Sequence, residues 1–401
     1  MQDKLCFCLS AISLVIKAVK NSLLADYIAM VVIVLMAIGT VFVFSASANV
    51  TQEISLQKFY NSPALRQILF FPFACALLYT ASYLDYRRFA LSKGWFRSLT
   101  TYLLVISLML LILVLFPQLG VEINRARRWL RFPVGPVTIG FQPSELAKWS
   151  VVFFLTAFCD KFGEGIKSYW KRFVPLCLVV AAVVGLIIIE DFGTAAFIAL
   201  LSFILLIIAG VKWWHILTPL PFAAIAFFAA LVCSPGRLQR IIAFLNPQRL
   251  ADSTAYQPTQ SLIALGSGGL FGKGLGNGIC KYGHLPADTT DFIFAIIGEE
   301  LGFVGTLTVI VLFIIFVWLG IVVVMRSADR FGRLLAGGIV LTIAVQAALN
   351  IGVVTVVLPT KGIPLPFVSA GGTSMLLSAV AVGVLLNIAK QSAKKADDGV
   401  V

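Results

Sequence analysis

The stretch LPADTTDFIFAIIGEELG, residues 285–302, puts carboxylates where a membrane helix begins. Asp291 stands at its mouth, and Glu299 and Glu300 sit about two turns further in. Charges at membrane depth are costly and face protein or a water-filled cavity. Asp291 also has a simpler use. Thr289, Thr290 and Asp291 are residue types that satisfy free amides at a helix start and favour its dipole. Glu299 and Glu300 lie too deep to act in that way.

Other polar groups accompany them. Glu145 and Lys148, three apart in PSELAKW, share a helix face and can pair. Gln346 and Asn350 are four apart on a late span, where they tie helices together or line a cavity. Glu190 and Asp191 sit at a turn, with Asp191 placed to cap the next helix. Four arginines crowd the loop INRARRWLRF: Arg125, Arg127, Arg128 and Arg131. Guanidinium forks match phosphate oxygens bidentately, although such charges also serve simply to solvate a loop. SLIALGSGGLFGKGLGNG, residues 261–278, carries glycines suited to tight turns, close approach or an amide nest for an anion. PTKGIPLPFVSAGG is irregular backbone between two spans, which must be covered by protein or line a polar cavity. Together these residues point to an enzyme or transporter handling a lipid-linked anion at the outer leaflet.

The elements that must position them are membrane helices. The 401 residues are 60% hydrophobic and 12% charged, about half the charge of a soluble domain. Ten apolar runs predict spans near 24–47, 66–84, 99–118, 143–158, 174–189, 192–210, 214–233, 291–324, 331–358 and 365–388. The expected fold is an all-α polytopic membrane protein with a large extracytoplasmic loop, 234–290, between helices 7 and 8. Residues 1–23 form a cytoplasmic segment, 24–390 the membrane domain and 391–401 a cytoplasmic tail. Placing both termini in the cytoplasm puts eighteen of the 31 Lys and Arg residues inside, in accord with the positive-inside rule. That rule also accounts for the net charge of +13 without a nucleic-acid partner. No CxxC occurs, and the two histidines are too few for a histidine-based metal site. GLFGKG lacks the Walker spacing, which excludes a P-loop ATPase.

Several blocks in order carry a resemblance: NRARRW (124–129), QPSELAK (142–148), EDFGTA (190–195), QSLIALGSGGLFGKGLG (260–276), LPADTTDFIFAIIGEELG and LPTKGIPLPFVSAGGTS (358–374). On these blocks the chain resembles the SEDS family of bacterial cell-division and rod-shape proteins, over about residues 25–390. GLGNGICKYGHLPADTTDF brings it nearer the division branch. It departs from the family pattern at Arg125, Ala287 and Thr289, and in the EDFG at 190–193.

The resemblance implies a peptidoglycan glycosyltransferase that polymerises lipid II into β-1,4-linked strands and releases undecaprenyl pyrophosphate. It implies Asp291 as the catalytic base. Arg127, Lys148 and Lys281 are the implied phosphate group, with Lys148 alternatively committed to Glu145. Glu145, Gln260, Ser261 and Ser369 complete the implied substrate site. No dedicated oxygen cage is present, so any Mg2+ or Mn2+ is expected to arrive with the substrate pyrophosphate. The implied partners are a class B penicillin-binding protein, the crosslinking transpeptidase, and other division proteins. The implied location is the bacterial cytoplasmic membrane at the septum. A lipid II flippase and a non-catalytic division scaffold are the alternatives.

Overall fold

The computed structural model describes residues 23–47, 63–123, 126–134, 137–163, 168–245, 256–280 and 289–397. Lys281 lies outside the described residues. The chain runs as α1 (Leu24–Ser47), α2 (Pro63–Ser82), three short 3-10 turns between Tyr86 and Arg97, and α3 (Leu99–Leu115). A sheet of β1 (Gly120–Ile123), β2 (Ala126–Val134) and β3 (Val137–Phe141) follows. Next come α4 (Pro143–Phe162), α5 (Val174–Glu190), α6 (Phe192–Ile208), α7 (Trp213–Leu217) and α8 (Leu220–Val232). The remainder is α9 (Pro235–Leu245), α10 (Tyr256–Ser267), α11 (Ile293–Arg326), α12 (Arg330–Val354) and α13 (Gly372–Asp397).

Apolar runs of this length become helices because lipid offers the backbone no hydrogen bonds. Seven helical segments among the described residues are long and apolar enough to cross a membrane. Two shorter apolar helices, α3 and α6, lie among them. The chain is a multi-pass α-helical membrane protein. At its centre stands α4, in which every residue from Ala147 to Cys159 is buried. It packs against α3, α6, α12 and α13. α13 is fastened to α2 at one end, where Asn387 Nδ2 donates to Ser82 O at 2.9 Å and Asn387 Oδ1 accepts from Tyr86 N at 3.1 Å.

The structure corrects three local expectations. The arginine segment is not a loop: β1, β2 and β3 form an antiparallel sheet in that order. The expected span 214–233 is present as one apolar segment, Trp213–Val232, but its helix is broken into α7 and α8 at Pro219 and Pro221. The last span begins at Gly372 rather than 365. Pro364 and Pro366 cannot supply helical amides, and Phe367 adopts φ 66°.

The glycine-rich segment 268–280 packs onto α11, which breaks at Gly302 (φ 67°, ψ −158°). Phe303 and Val304 donate backbone bonds to Gly269 O and Leu270 O. Lys273 and Gly274 donate to Glu299 O and Glu300 O. The segment therefore satisfies the backbone groups that the break sets free. Such closeness requires glycine. A Cβ on Gly272, at φ 79°, would overlap Glu300 O, and one on Gly268 would overlap Gly298 O. Gly272→Ala should lower stability by more than about 2 kcal/mol, through left-handed strain plus overlap. Gly266→Ala, in open space on α10, should not. Thermal melts of the detergent-solubilised variants test this pair, and equal melting points would refute the packing role.

Candidate active site

Asp291 lies in the turn before α11, but it does not cap that helix. The N-cap position is Phe292, with no side-chain cap bond. Among the described residues the Asp291 carboxylate has no hydrogen bond or ion pair. Its Oδ2 lies against Gly362, where a Cβ would stand 2.9 Å away. The capping use considered from sequence is therefore not the one made of it.

The backbone around Asp291 is held tightly. Asn350 Nδ2 on α12 donates to Asp291 O and Ile363 O, both at 2.8 Å. Ser369 Oγ donates to Thr290 O at 2.6 Å and accepts from Leu365 N at 2.7 Å. Ala370 N donates to Thr289 O at 2.9 Å. Gln346 Nε2, one turn along α12 from Asn350, donates to Pro364 O at 2.9 Å. Its Oε1 accepts from Lys148 Nζ at 2.8 Å, and Lys148 also pairs with Glu145 Oε2 at 2.7 Å. A continuous polar chain thus runs from α4 through α12 to the segment that cradles Asp291.

The expected binding residues are placed as follows. Lys148 is 1% exposed and committed to Glu145 and Gln346. Ser369 is spent on the Asp291 turn. Ser261 Oγ is buried and donates to Val354 O at 2.7 Å. Gln260 stands partly buried on α10. Arg127 turns toward Glu122 on the neighbouring strand, at 3.4 Å, while its amide donates to Glu190 Oε2 at 2.6 Å. Glu299 accepts from Lys273 Nζ, Ile279 N and Cys280 N at 2.8, 2.9 and 3.1 Å. Glu300 accepts from Ser45 Oγ at 2.7 Å. Both glutamates are fully buried and anchor the glycine-rich segment and α1 to α11.

Sequence reasoning did not single out Arg128, Arg240 and Lys361. Arg128 is the extra residue of a β-bulge: Glu122 pairs with Arg127 and Val121 with Trp129, which leaves Arg128 without a partner on β1. Its Nε donates to Glu190 O at 2.8 Å, and its guanidinium lies 3.8 Å from Asp191. No period in ARRWLRF announces that bulge. Asp191 caps α6 through Thr194 N at 3.1 Å and accepts from Thr194 Oγ1 at 2.9 Å. Arg237 donates to Ala230 O, Ile188 O and Ile189 O, with its guanidinium over the Phe192 ring. These groups set the electrostatics. Burial pushes the Asp291 carboxyl up to about 6, and the negative charge of Asp191 adds to this. Arg128 and Arg240 oppose the shift.

A family model described as "Cell cycle protein", covering FtsW, RodA and SpoVE, matches residues 25–394. The chain belongs to the FtsW/RodA/SpoVE family. It is 36% identical over 363 residues to a probable peptidoglycan glycosyltransferase FtsW of Coxiella burnetii, covering 89% of this chain and 94% of that one. It is 37% identical over 365 residues to the stage V sporulation protein E of Bacillus subtilis, covering 90% and 96%. Among solved structures, it resembles the rod shape determining protein RodA of Thermus thermophilus (TM-score 0.63, 26% identity, 91% and 96% covered). It also resembles a chain from a study of how a peptidoglycan synthase complex coordinates polymerization and crosslinking (TM-score 0.70, 25% identity, 91% and 97% covered). The family match thus spans nearly the whole length of this chain.

Lys148→Met should cost about 3–5 kcal/mol, because it strands a buried carboxylate. The double variant Glu145→Gln/Lys148→Met should recover much of that loss. Denaturation in detergent measures both, and additive losses would show that the two side chains do not act as a pair.

Proposed function

We propose that this protein is a peptidoglycan glycosyltransferase that polymerises lipid II during septal wall synthesis, with Asp291 as its general base. One observation carries the role of Asp291: its carboxylate is unpartnered among the described residues, on a turn held by bonds to its backbone. Membership of the FtsW/RodA/SpoVE family supplies the reaction class.

The chemistry follows from the group. The 4-hydroxyl of the acceptor N-acetylglucosamine attacks the donor's anomeric carbon from the face opposite its pyrophosphate. The new C–O bond forms as the bond to phosphate breaks. Asp291 takes the hydroxyl proton, and the electron pair of the broken bond leaves with undecaprenyl pyrophosphate. The anomeric centre inverts, giving the β-1,4 link. A carboxyl poised near 6 is ionised at neutral pH yet basic enough to assist attack. The hydrogen bonds from Asn350 and Ser369 hold the turn and leave the carboxylate free for substrate.

The same reading sets the topology. The nine candidate segments, together with α4, make ten spans, with both termini cytoplasmic and residues 234–290 outside. Residues 1–23 and 391–401 flank the membrane domain. α4 counts as a span although Glu145, Lys148, Asp160 and Lys161 lower its hydropathy, because its central charges are neutralised inside the bundle. The partner is a class B penicillin-binding protein. The similarity to the peptidoglycan synthase complex chain supports that pairing. Reporter fusions at Gly278 and Lys394 should report opposite sides of the membrane, and same-side signals would break the ten-span arrangement.

Purified protein supplied with lipid II in detergent, where flipping has no meaning, tests the reaction. Asp291→Asn should fold and bind its partner but polymerise about 10²–10⁴-fold more slowly. The base must be ionised, so wild-type kcat/KM should fall as pH drops through about 6. Undiminished polymer from the Asn variant would remove Asp291 from the mechanism.

A further inference from the structure

Most cations on the elements that flank the Asp291 turn, the sheet and the glycine-rich segment are already committed. Arg127 is held by Glu122, Lys148 by Glu145 and Gln346, and Lys273 by Glu299. Arg128 is bound to Glu190 O and faces Asp191, and Arg237 is spent on three carbonyls. Lys361 is different. Among the described residues its ammonium makes no hydrogen bond or ion pair. It lies partly buried with Nζ 5.4 Å from the centroid of the Phe192 ring. Its stem passes beside Gly193 at the start of α6, where a Cβ would stand 3.7 Å from Lys361 Cβ. Burial lowers the Lys361 pKa, and the nearby Asp191 opposes this. An ammonium taken partly out of water without an acceptor is costly unless a ligand supplies one.

Position says which ligand. Lys361 is the neighbour in sequence of Gly362, which touches the Asp291 carboxylate. Yet no ion pair joins Lys361 to Asp291. An inverting displacement needs this relation. The attacking and leaving oxygens lie on opposite faces of the carbon, so the base and the cation for the leaving group must be close without neutralising one another. Two polyprenyl diphosphates enter the reaction. The donor's is bonded to the reacting carbon, whereas the acceptor's is a whole disaccharide away from the attacking hydroxyl. A cation beside Asp291 therefore meets the donor's diphosphate.

We propose that Lys361 is a catalytic residue that binds the donor's polyprenyl diphosphate and stabilises it as it leaves. As the anomeric C–O bond breaks, its electron pair settles on the diphosphate oxygen, and the Lys361 ammonium offsets that charge. The proton of the attacking hydroxyl goes to Asp291, so Lys361 transfers none. This assignment rests on the glycosyltransferase reading above.

The test uses the full chain with its transpeptidase partner in detergent. Lipid II polymerisation is measured with undecaprenyl diphosphate or undecaprenyl monophosphate as inhibitor. Wild type should be inhibited more strongly by the diphosphate. Lys361→Gln should lower kcat by about 10²-fold, the loss expected for one preorganised charge-stabilising donor. It should also erase the preference for diphosphate while leaving inhibition by the monophosphate unchanged. Wild-type kcat, or an intact diphosphate preference, in the Gln variant would overturn the proposal. Should Lys361→Gln lose both inhibitors through misfolding, Lys361→Arg decides. A restored diphosphate preference supports the site, and its absence overturns it. A wild-type protein that makes no polymer would instead sink the glycosyltransferase reading; direct binding of labelled undecaprenyl diphosphate then decides, with loss of binding in Lys361→Gln leaving the Lys361 site standing and equal binding overturning it.

Discussion

Backbone that leaves a helix inside an apolar solvent must find every hydrogen bond within the protein. Two irregular segments face that constraint here, and the site exists because both meet it. The segment before α13 is held by Asn350, Gln346 and Ser369, which bind its carbonyls and one amide. The glycine-rich segment is held by the broken ladder of α11 and by the carboxylate of Glu299. Side chains that look like membrane-depth liabilities in the sequence are the groups that satisfy these segments. Lys148 is the extreme case. A buried ammonium is tolerable only because Glu145 neutralises it and Gln346 Oε1 accepts a second hydrogen bond from it.

On the proposed mechanism, this division of labour separates support from chemistry. Glu145, Lys148, Ser261, Ser369, Glu299 and Glu300 are all buried and all have protein partners. Asp291 and Lys361 are partly exposed, with no hydrogen bond or ion pair among the described residues. The proposed base needs a fixed backbone and a free side chain, and the Asp291 turn has both. Its backbone carbonyl is bound by Asn350, and the carboxylate rests against Gly362, where a Cβ would stand 2.9 Å from Oδ2. The charges of Asp191, Arg128 and Arg240 act on Asp291 in opposition, so its basicity is a balance among elements as separate as β2, the start of α6 and α9.

The small sheet shows how local geometry chooses among equivalent residues. Arg127 and Arg128 are neighbours of the same type, and composition cannot rank them. A β-bulge that pairs Arg127 with Glu122 and leaves Arg128 unpaired in the ladder sends one to Glu122 and the other to the Asp191 side. The same strand binds Glu190 through the Arg127 amide, which fixes the sheet against the turn that carries Asp191. Phe192, next along, offers its ring to both Arg237 and Lys361. The turn at 190–193 is thus the joint on which the basic groups of three segments meet.

The sequence by itself determined what hydropathy and motif order encode. Runs of apolar residues near bilayer length set the helices, since nothing but a helix satisfies the backbone there, and the ordered blocks placed the chain in its family. Asp291 stood out as a candidate because a carboxylate at a span mouth is rare and its block is distinctive. The pairing of Glu145 with Lys148 was legible because it is local, three residues along one helix. Tertiary structure alone decided the rest. Lys361 and Asp291 lie 70 positions apart, and Asp191 and Asp291 a hundred, so no helical or strand period links them. Nor does composition reveal that Asn350 and Ser369 bind the backbone of the Asp291 turn. Those relations depend on how α4, α6, α11 and α12 pack and on where two irregular segments find their hydrogen bonds. Only the folded chain brings such distant groups within reach of one another.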